Sequence, residues 1–566
     1  MSQRRLKKIK KLTEAKPVVL MEEKTLGIRH ILRENWKFLL LLCIGTFLLY
    51  ANSLNGDFVS DDYAAITQNA KVGNLGEAIF SSFRSSPSTI NALVALVFGI
   101  GSSFPFHFVN TILYLLSILL FFLFAYLVFG EDVAKISVLI FSVLPVHVEA
   151  VSWIYGKPYL LNAIGVLVSL LFFVAYDETK NSKYLYRFFA FLPVAVYFEP
   201  VRFVALLLIL PIYILVLSRS VDRGIFIKWY LFLTFLVGSI LFLILKNDIF
   251  SRIKEVNSGI NGSGELFYNP FFQYPTAITK YLQIVLFPTD LTLYHTMYVF
   301  PPWLNWGVLV TYVVSLTYFF WRNKKIFFCL VFIFLATAPS MAPIKVSWLV
   351  AERYVFLGSM GVALLLGYLF GLVYKSFSKM GGIVLTILLF AYGLRTFYRN
   401  IDWQTNHNLW VNTCQISPNS HNAWNNIGDD YDKLKKPDSA IKGFSQSVLV
   451  KPNYADAYHN RANIFFKIGR LDLAREGYQT ALNFNPTMFQ TYLSLTQIDL
   501  MERNTDLALA HAKKILELQP NNLQAIYVMG VVQAETGNKE EAKKIFNYIL
   551  QVVPGYSPAR EALSRL

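Results

Sequence analysis

Charge is scarce in this chain. Only 16% of its 566 residues are Asp, Glu, Lys or Arg, against about 25% in an ordinary soluble domain. Apolar residues make up 55%, with 48 Phe and 32 Tyr, which excludes a soluble globular protein over most of the length. Cysteine is nearly absent: Cys43, Cys329 and Cys414 supply neither a disulfide framework nor a metal-ligand pattern. Acidic residues are outnumbered 36 to 52, leaving a net charge of +16. Part of that excess is an N-terminal arm with Arg4, Arg5, Lys7, Lys8, Lys10 and Lys11. The arm is too charged, and too far from the first apolar run, for a cleaved signal peptide. It reads as a topology determinant, not as a nucleic-acid contact.

Long apolar runs fill residues 38–400. Runs of about 15–25 residues suit bilayer-crossing helices. They lie near 38–51, 106–129, 134–151, 159–176, 187–200, 202–218, 225–245, 303–321, 325–342, 354–374 and 380–396, so eleven spans are expected. With the arm at 1–37 in the cytoplasm, the short loops holding Lys180, Lys183 and Arg187, then Arg219, Arg223 and Lys228, then Arg322, Lys324 and Lys325, then Lys375 and Lys379 fall on the same side, as the positive-inside rule requires. The longer segments 52–105 and 246–302 are then outer loops.

Residues 401–566 follow another rule. Pro418, Pro452, Pro486, Pro520 and Pro554 stand 34 residues apart, the period of a tetratricopeptide repeat, in which paired helices stack into a solenoid. Ala440, Ala474, Ala508 and Ala542 share the register, as do Trp424, Tyr458, Tyr492 and Ile526. Large rings follow the alanines at Phe444, Tyr478 and Phe546, and Gly428, Ala462 and Gly530 mark close helix approach. The expected fold is all-α: a polytopic helix bundle followed by an α-solenoid of about four repeats.

The outer span ends gather ionisable groups, which are costly near a membrane and usually functional. Asp61 and Asp62 follow the first span. Adjacent carboxylates raise each other's pKa, which suits proton abstraction or a cation; alternatively they cap a helix. Arg84, His107, His147, Glu149, Lys157 and Arg353 map to the same face, and Glu199 and Glu352 stand at further outer span ends.

Several stretches resemble the C-type glycosyltransferase fold, in the branch of transmembrane and tetratricopeptide repeat-containing proteins. They are Phe58-Val59-Ser60-Asp61-Asp62, His107 to Asn110, Pro145 to Trp153 with Gly156-Lys157, Glu352-Arg353-Tyr354, and the repeats. Lys157 stands where the family usually has Arg. The resemblance implies protein O-mannosyltransferase-like activity with a polyprenyl-phosphate-linked sugar donor, in a bacterial inner membrane with periplasmic repeats or an endoplasmic reticulum membrane with lumenal ones.

On that layout Asp61 or Asp62 is the general base for an acceptor hydroxyl. Arg353, with Arg84 or Lys157, holds the donor phosphate. His107, His147, Glu149, Glu199 and Glu352 line the cavity. Asp61 and Asp62 offer a place for Mg²⁺ or Mn²⁺, though basic side chains neutralise a phosphate without metal. The solenoid would present an acceptor protein or peptide. A non-catalytic, membrane-anchored repeat scaffold is the alternative.

Overall fold

The computed structural model describes residues 27–80, 86–198, 204–218, 228, 230, 270–338, 348–376 and 378–566. Every regular element among them is helical. The chain forms two compact units, Met1–Leu293 with Tyr298–Thr405, and Tyr294–Met297 with Asn406–Leu566.

Among the described residues of the first unit six helices are long and apolar enough to cross a bilayer: Ile28–Ser53, Phe104–Phe129, Ile154–Thr179, Pro302–Arg322, Glu352–Val373 and Lys379–Asp402. Glu131–Ser142 and Pro145–Val151, bent by 59°, make a seventh if they count as one span. The chain is a membrane protein, and six or seven of the eleven expected spans appear as full-length apolar helices among the described residues. The runs near 187–200, 202–218 and 325–342 carry the helices Ser182–Phe198, Val204–Val216 and Lys324–Thr337, and residues 199–203 and 339–347 lie outside the described residues. The run 225–245 lies almost wholly outside the described residues. The first helix begins at Ile28, inside the segment expected as arm.

The bend has a local cause. Proline disfavours the α conformation in the residue before it, and Leu144 is extended at φ −64°, ψ 121°. The helix therefore stops at Ser142 and resumes as Val148–Val151. Trp153 is extended in turn, and Lys157–Thr179 starts with Pro158 in its first turn. Gly156 is required inside this double turn: a Cβ there would lie 2.6 Å from the Ala150 carbonyl oxygen and 2.7 Å from that of Glu149.

Within the segment read as the outer loop 246–302 stands a helix, Pro270–Leu286. Its Ala277, Ile278, Tyr281, Ile284 and Val285 are buried, the three-to-four spacing of an amphipathic helix.

The second unit is a stack of helix pairs: His421–Lys433 with Pro437–Val450, Ala455–Lys467 with Leu471–Phe484, Phe489–Met501 with Thr505–Leu518, and Leu523–Glu535 with Lys539–Val552. Asn406–Ile416 precedes them and Ser557–Ser564 closes the stack. The four period-setting alanines are fully buried. The prolines sit in the turns between pairs, and their carbonyls accept from the next helix, Trp424 Nε1 to Pro418 at 2.7 Å and Tyr458 Oη to Pro452 at 3.1 Å. Tyr294–Met297 belongs to this unit: the Tyr294 ring lies 5.7 Å from that of Trp410, and Thr296 and Asn419 exchange hydrogen bonds.

Candidate active site

The loop after the first span is pinned before it reaches the aspartates. Asn52 donates to the Phe397 carbonyl at 3.0 Å, Gln404 Nε2 to the Asn52 carbonyl at 2.7 Å, and the Asp57 N–H to the Gln404 carbonyl at 2.7 Å. Ser60 then adopts φ +53°, a left-handed conformation that non-glycine residues enter at a cost and that clusters at functional sites. The two aspartates that follow have different surroundings.

Asp62 is fully buried. One carboxylate oxygen accepts the Val59 N–H at 3.0 Å and the other the Tyr155 N–H at 2.9 Å. Asp62 thus fastens the first loop to the Trp153–Lys157 turn, and it does not cap the helical turn Tyr63–Thr67. Burial pushes its carboxyl up to about 7, against those two donors and the charge of Lys157, while Asp61 reinforces the rise. Asp61 is solvent-exposed, and its carboxylate has no hydrogen-bond partner among the described residues. Surrounding protein raises its pKa and the charge of Arg353 opposes the rise.

Arg353, whose charge acts on Asp61, stands in the turn Glu352–Val355. Its backbone N–H donates to Glu149 Oε2 at 2.7 Å, Nη1 donates to Glu149 Oε1, and Nε donates to Tyr159 Oη at 3.1 Å. The guanidinium lies over the rings of Trp153, at 5.4 Å, and Tyr354, at 4.9 Å. Nη2 has no hydrogen-bond partner among the described residues. Arg353 is thus held by one carboxylate and three rings, with one donor group uncommitted.

The other expected residues take interior roles. Glu149 is buried as the Arg353 partner. Lys157 is fully buried; its ammonium reaches the Ile154 carbonyl at 3.4 Å and acts electrostatically on Asp62. His147 does not line a cavity. It is buried between Phe141 and Phe356, with Nδ1 at 2.8 Å from Tyr114 Oη and Nε2 at 2.7 Å from Ser359 Oγ. Both ring nitrogens are thereby used by the core. His107 is likewise enclosed, 3.2 Å from the Gly56 carbonyl. Glu352 pairs with Arg399 at 2.9 Å, both side chains fully buried. Arg84 and Glu199 lie outside the described residues.

Among the described residues no three His, Cys, Asp or Glu side chains are grouped to hold a metal ion. The Asp61–Asp62 pair does not fit a divalent cation as a ligand set, because both Asp62 oxygens already accept N–H donors with a lysine nearby.

Sequence reasoning missed several participants. Asn110 Nδ2 donates to the Trp153 carbonyl at 2.9 Å and that of Val151 at 3.2 Å, shaping the turn. Asn400 joins Leu49, Asn52 and Ser152. Lys280, almost wholly buried, lies 3.6 Å from Asp290. Arg399, Asn400 and Lys280 are polar groups in apolar helices, the signal that could have found them. An apolar groove of about 590 Å³ also opens beside the first and last spans, lined by Leu42, Gly45, Leu139, Phe390, Gly393 and Leu394 among others; it contains none of the candidate residues.

Tetratricopeptide-repeat profiles match residues 455–488 and 499–566. The human protein O-mannosyl-transferase TMTC3 is 30% identical over 108 residues, covering 19% of this chain and 12% of that protein. Its mouse counterpart is 22% identical over 480 residues, 74% of this chain and 51% of that one. Human protein O-mannosyl-transferase TMTC1 is 31% identical over 160 residues, 25% and 18%. The chain spans at most about half the length of these relatives. Among solved structures, a crystal structure of MamA shares 19% identity, with a TM-score of 0.25, over 31% of this chain and 96% of that one. With its 34-residue repeats and a similarity that runs along most of its length, the chain is similar to the transmembrane and tetratricopeptide repeat-containing protein O-mannosyl-transferases.

Proposed function

We propose that this protein is a membrane glycosyltransferase that moves a hexose, mannose by analogy with the named relatives, from a polyprenyl-phosphate-linked donor to a protein hydroxyl. The observation that carries the reading is an exposed Asp61 carboxylate within the field of the Arg353 guanidinium, where neither that carboxylate nor Arg353 Nη2 has a hydrogen-bond partner among the described residues.

In this reading the acceptor oxygen attacks the sugar anomeric carbon and its proton passes to Asp61. The bond from that carbon to the phosphate oxygen breaks, and the charge left on the phosphate is met by Arg353. Stabilising charge that develops in the transition state is a large catalytic term, and planar guanidinium suits phosphate oxygens. The raised pKa of Asp61 strengthens it as a proton acceptor once ionised. Asp62 anchors the loop that carries the base.

We place the Asp61 loop on the outer or lumenal face, because the short basic loops favour the other side. The Gln404 carbonyl takes the Asp57 N–H, so the chain leaves the membrane unit beside that loop before the repeats begin. The repeats are assigned to acceptor recognition, since stacked helix pairs offer an extended concave surface.

The test is Asp61→Asn in purified protein supplied with polyprenyl-phosphate mannose and an acceptor peptide. It keeps size and polarity but removes the basic lone pair. We expect kcat to fall about 10²–10⁴-fold, with donor binding retained. Unchanged turnover would remove Asp61 as the base, and absence of any transfer by the wild-type protein would favour the scaffold alternative.

A further inference from the structure

Glu352 and Arg353 are consecutive, yet they serve opposite partners. Arg353 turns to Glu149, and Glu352 turns to Arg399 of the last span. Arg399 is fully buried. Its Nη2 donates to Glu352 Oε1 at 2.9 Å, Nε to Oε2 at 3.3 Å, and Nη1 to Asp402 Oδ2 at 2.9 Å. Its guanidinium also lies 5.7 Å from the Trp403 ring centre. All three Arg399 nitrogens are engaged within the protein. Arg353, by contrast, has no hydrogen-bond partner at Nη2 among the described residues.

We infer that Arg399 is a positioning residue: by holding Glu352 in a two-point pair, it keeps that carboxylate from competing with the substrate phosphate for Arg353. The inference rests on the reading in which Arg353 receives the donor phosphate. Glu352 already acts electrostatically on Glu149, so the two ion pairs are neighbours. A buried carboxylate stripped of its partner is strongly unfavourable. The guanidinium one residue away, with a donor unfilled, is the natural replacement. Lys280 and Arg395 also feel Glu352, but Lys280 is engaged by Asp290 at 3.6 Å, and Arg395 by the Pro288 carbonyl at 3.0 Å and the Thr289 carbonyl at 3.4 Å.

The roles of the two arginines therefore predict a particular pattern among variants of the full chain in detergent. Arg399→Gln should weaken binding of a short-chain polyprenyl phosphate about tenfold, the equivalent of ~1.4 kcal/mol, and raise the donor KM more than it lowers kcat. Adding Glu352→Gln to Arg399→Gln removes both charges together and should return binding to within about threefold of wild type, since paired removal is far milder than breaking one side. Arg399→Lys should fall between, because an ammonium cannot reproduce the two-point fork.

A second readout needs no donor. Phenylglyoxal labelling of Arg353, followed by mass spectrometry, should drop in Arg399→Gln and recover in the double variant. If Arg399→Gln fails to fold, Arg399→Lys and the double variant still order the outcome. Equal losses in the single and double variants, in both readouts, would overturn the inference, because Arg399 would then not act through Glu352. Wild-type protein that binds no polyprenyl phosphate, yet shows the labelling pattern, would sink the donor reading and leave the Arg399–Glu352–Arg353 coupling standing.

Discussion

The two units place most of their charge pairs differently, apart from Asp499 of the repeat unit, which is buried against Arg475 and His511. In the membrane unit the carboxylates of Glu149 and Glu352 are fully buried against Arg353 and Arg399. In the repeat unit pairs such as Lys543–Glu540 and Lys514–Glu517 lie three residues apart on exposed helix faces. A surface pair is screened by water and contributes little. A buried pair gives little net stability either, but breaking one side of it leaves an uncompensated charge. The membrane unit is thus fragile at a few points that coincide with its candidate chemistry, whereas the repeat unit spreads its stability along the stack.

The sharpest way to break that comparison is Glu149→Gln. It strips Arg353 of its carboxylate while keeping the side-chain shape. We expect a destabilisation of about 3–5 kcal/mol, read as a large fall in the detergent thermal midpoint and in the yield of inserted protein. A midpoint shift no larger than that of an exposed pair would mean that water reaches the Arg353 site, and the contrast between the units would lose its basis.

Asp62→Asn tests the same unit through pH. The Asp62 carboxyl rises from an ordinary 3.8 to about 7 in the folded protein, chiefly through burial. A raised carboxyl means that the folded state holds its proton more tightly than the unfolded state. The associated stability is full below about pH 4 and is lost as pH climbs towards 7, by at most ~1.4 kcal/mol per unit. Asparagine does not titrate, so the variant's midpoint relative to wild type should climb across that window and level off above it. A flat difference would show that Val59 N–H, Tyr155 N–H and Lys157 hold Asp62 ionised in spite of its burial.

The same contrast explains what could be read from the chain. Contacts inside the helix pairs join residues within about one period, such as Trp424 to Pro418 or Phe444 against Gly428, so spacing reveals them. In the membrane unit Glu149 meets Arg353 across 204 residues and Ser152 meets Asn400 across 248. Residue type and span-end position marked Asp61, Glu149 and Arg353 as unusual. They could not separate an exposed Asp61 from a bound Asp62, because the second N–H on Asp62 comes from Tyr155, 93 residues away. His147 misled for the same reason: Tyr114 and Ser359, its distant partners, make it a core residue. Arg399 went unnoticed because the apolar run seemed to end at 396, whereas the helix continues to Asp402.

Gly530→Ala should have the most confined effect. A Cβ at Gly530 would lie 2.6 Å from the ring of Phe546, and that ring is fully buried among Ala542, Ile549 and Ala559. The ring cannot retreat without opening the seam between Leu523–Glu535 and Lys539–Val552. Overpacking of this kind typically costs about 1–3 kcal/mol. In a solenoid each repeat contacts chiefly its neighbours, so the loss should stay local. Hydrogen exchange on the full chain should speed up in those two helices and in Ser557–Ser564, with Ala455–Lys467 and the membrane spans unchanged. Faster exchange throughout both units would mean that they unfold as one cooperative body, and the separation between concentrated and distributed stability would then be wrong.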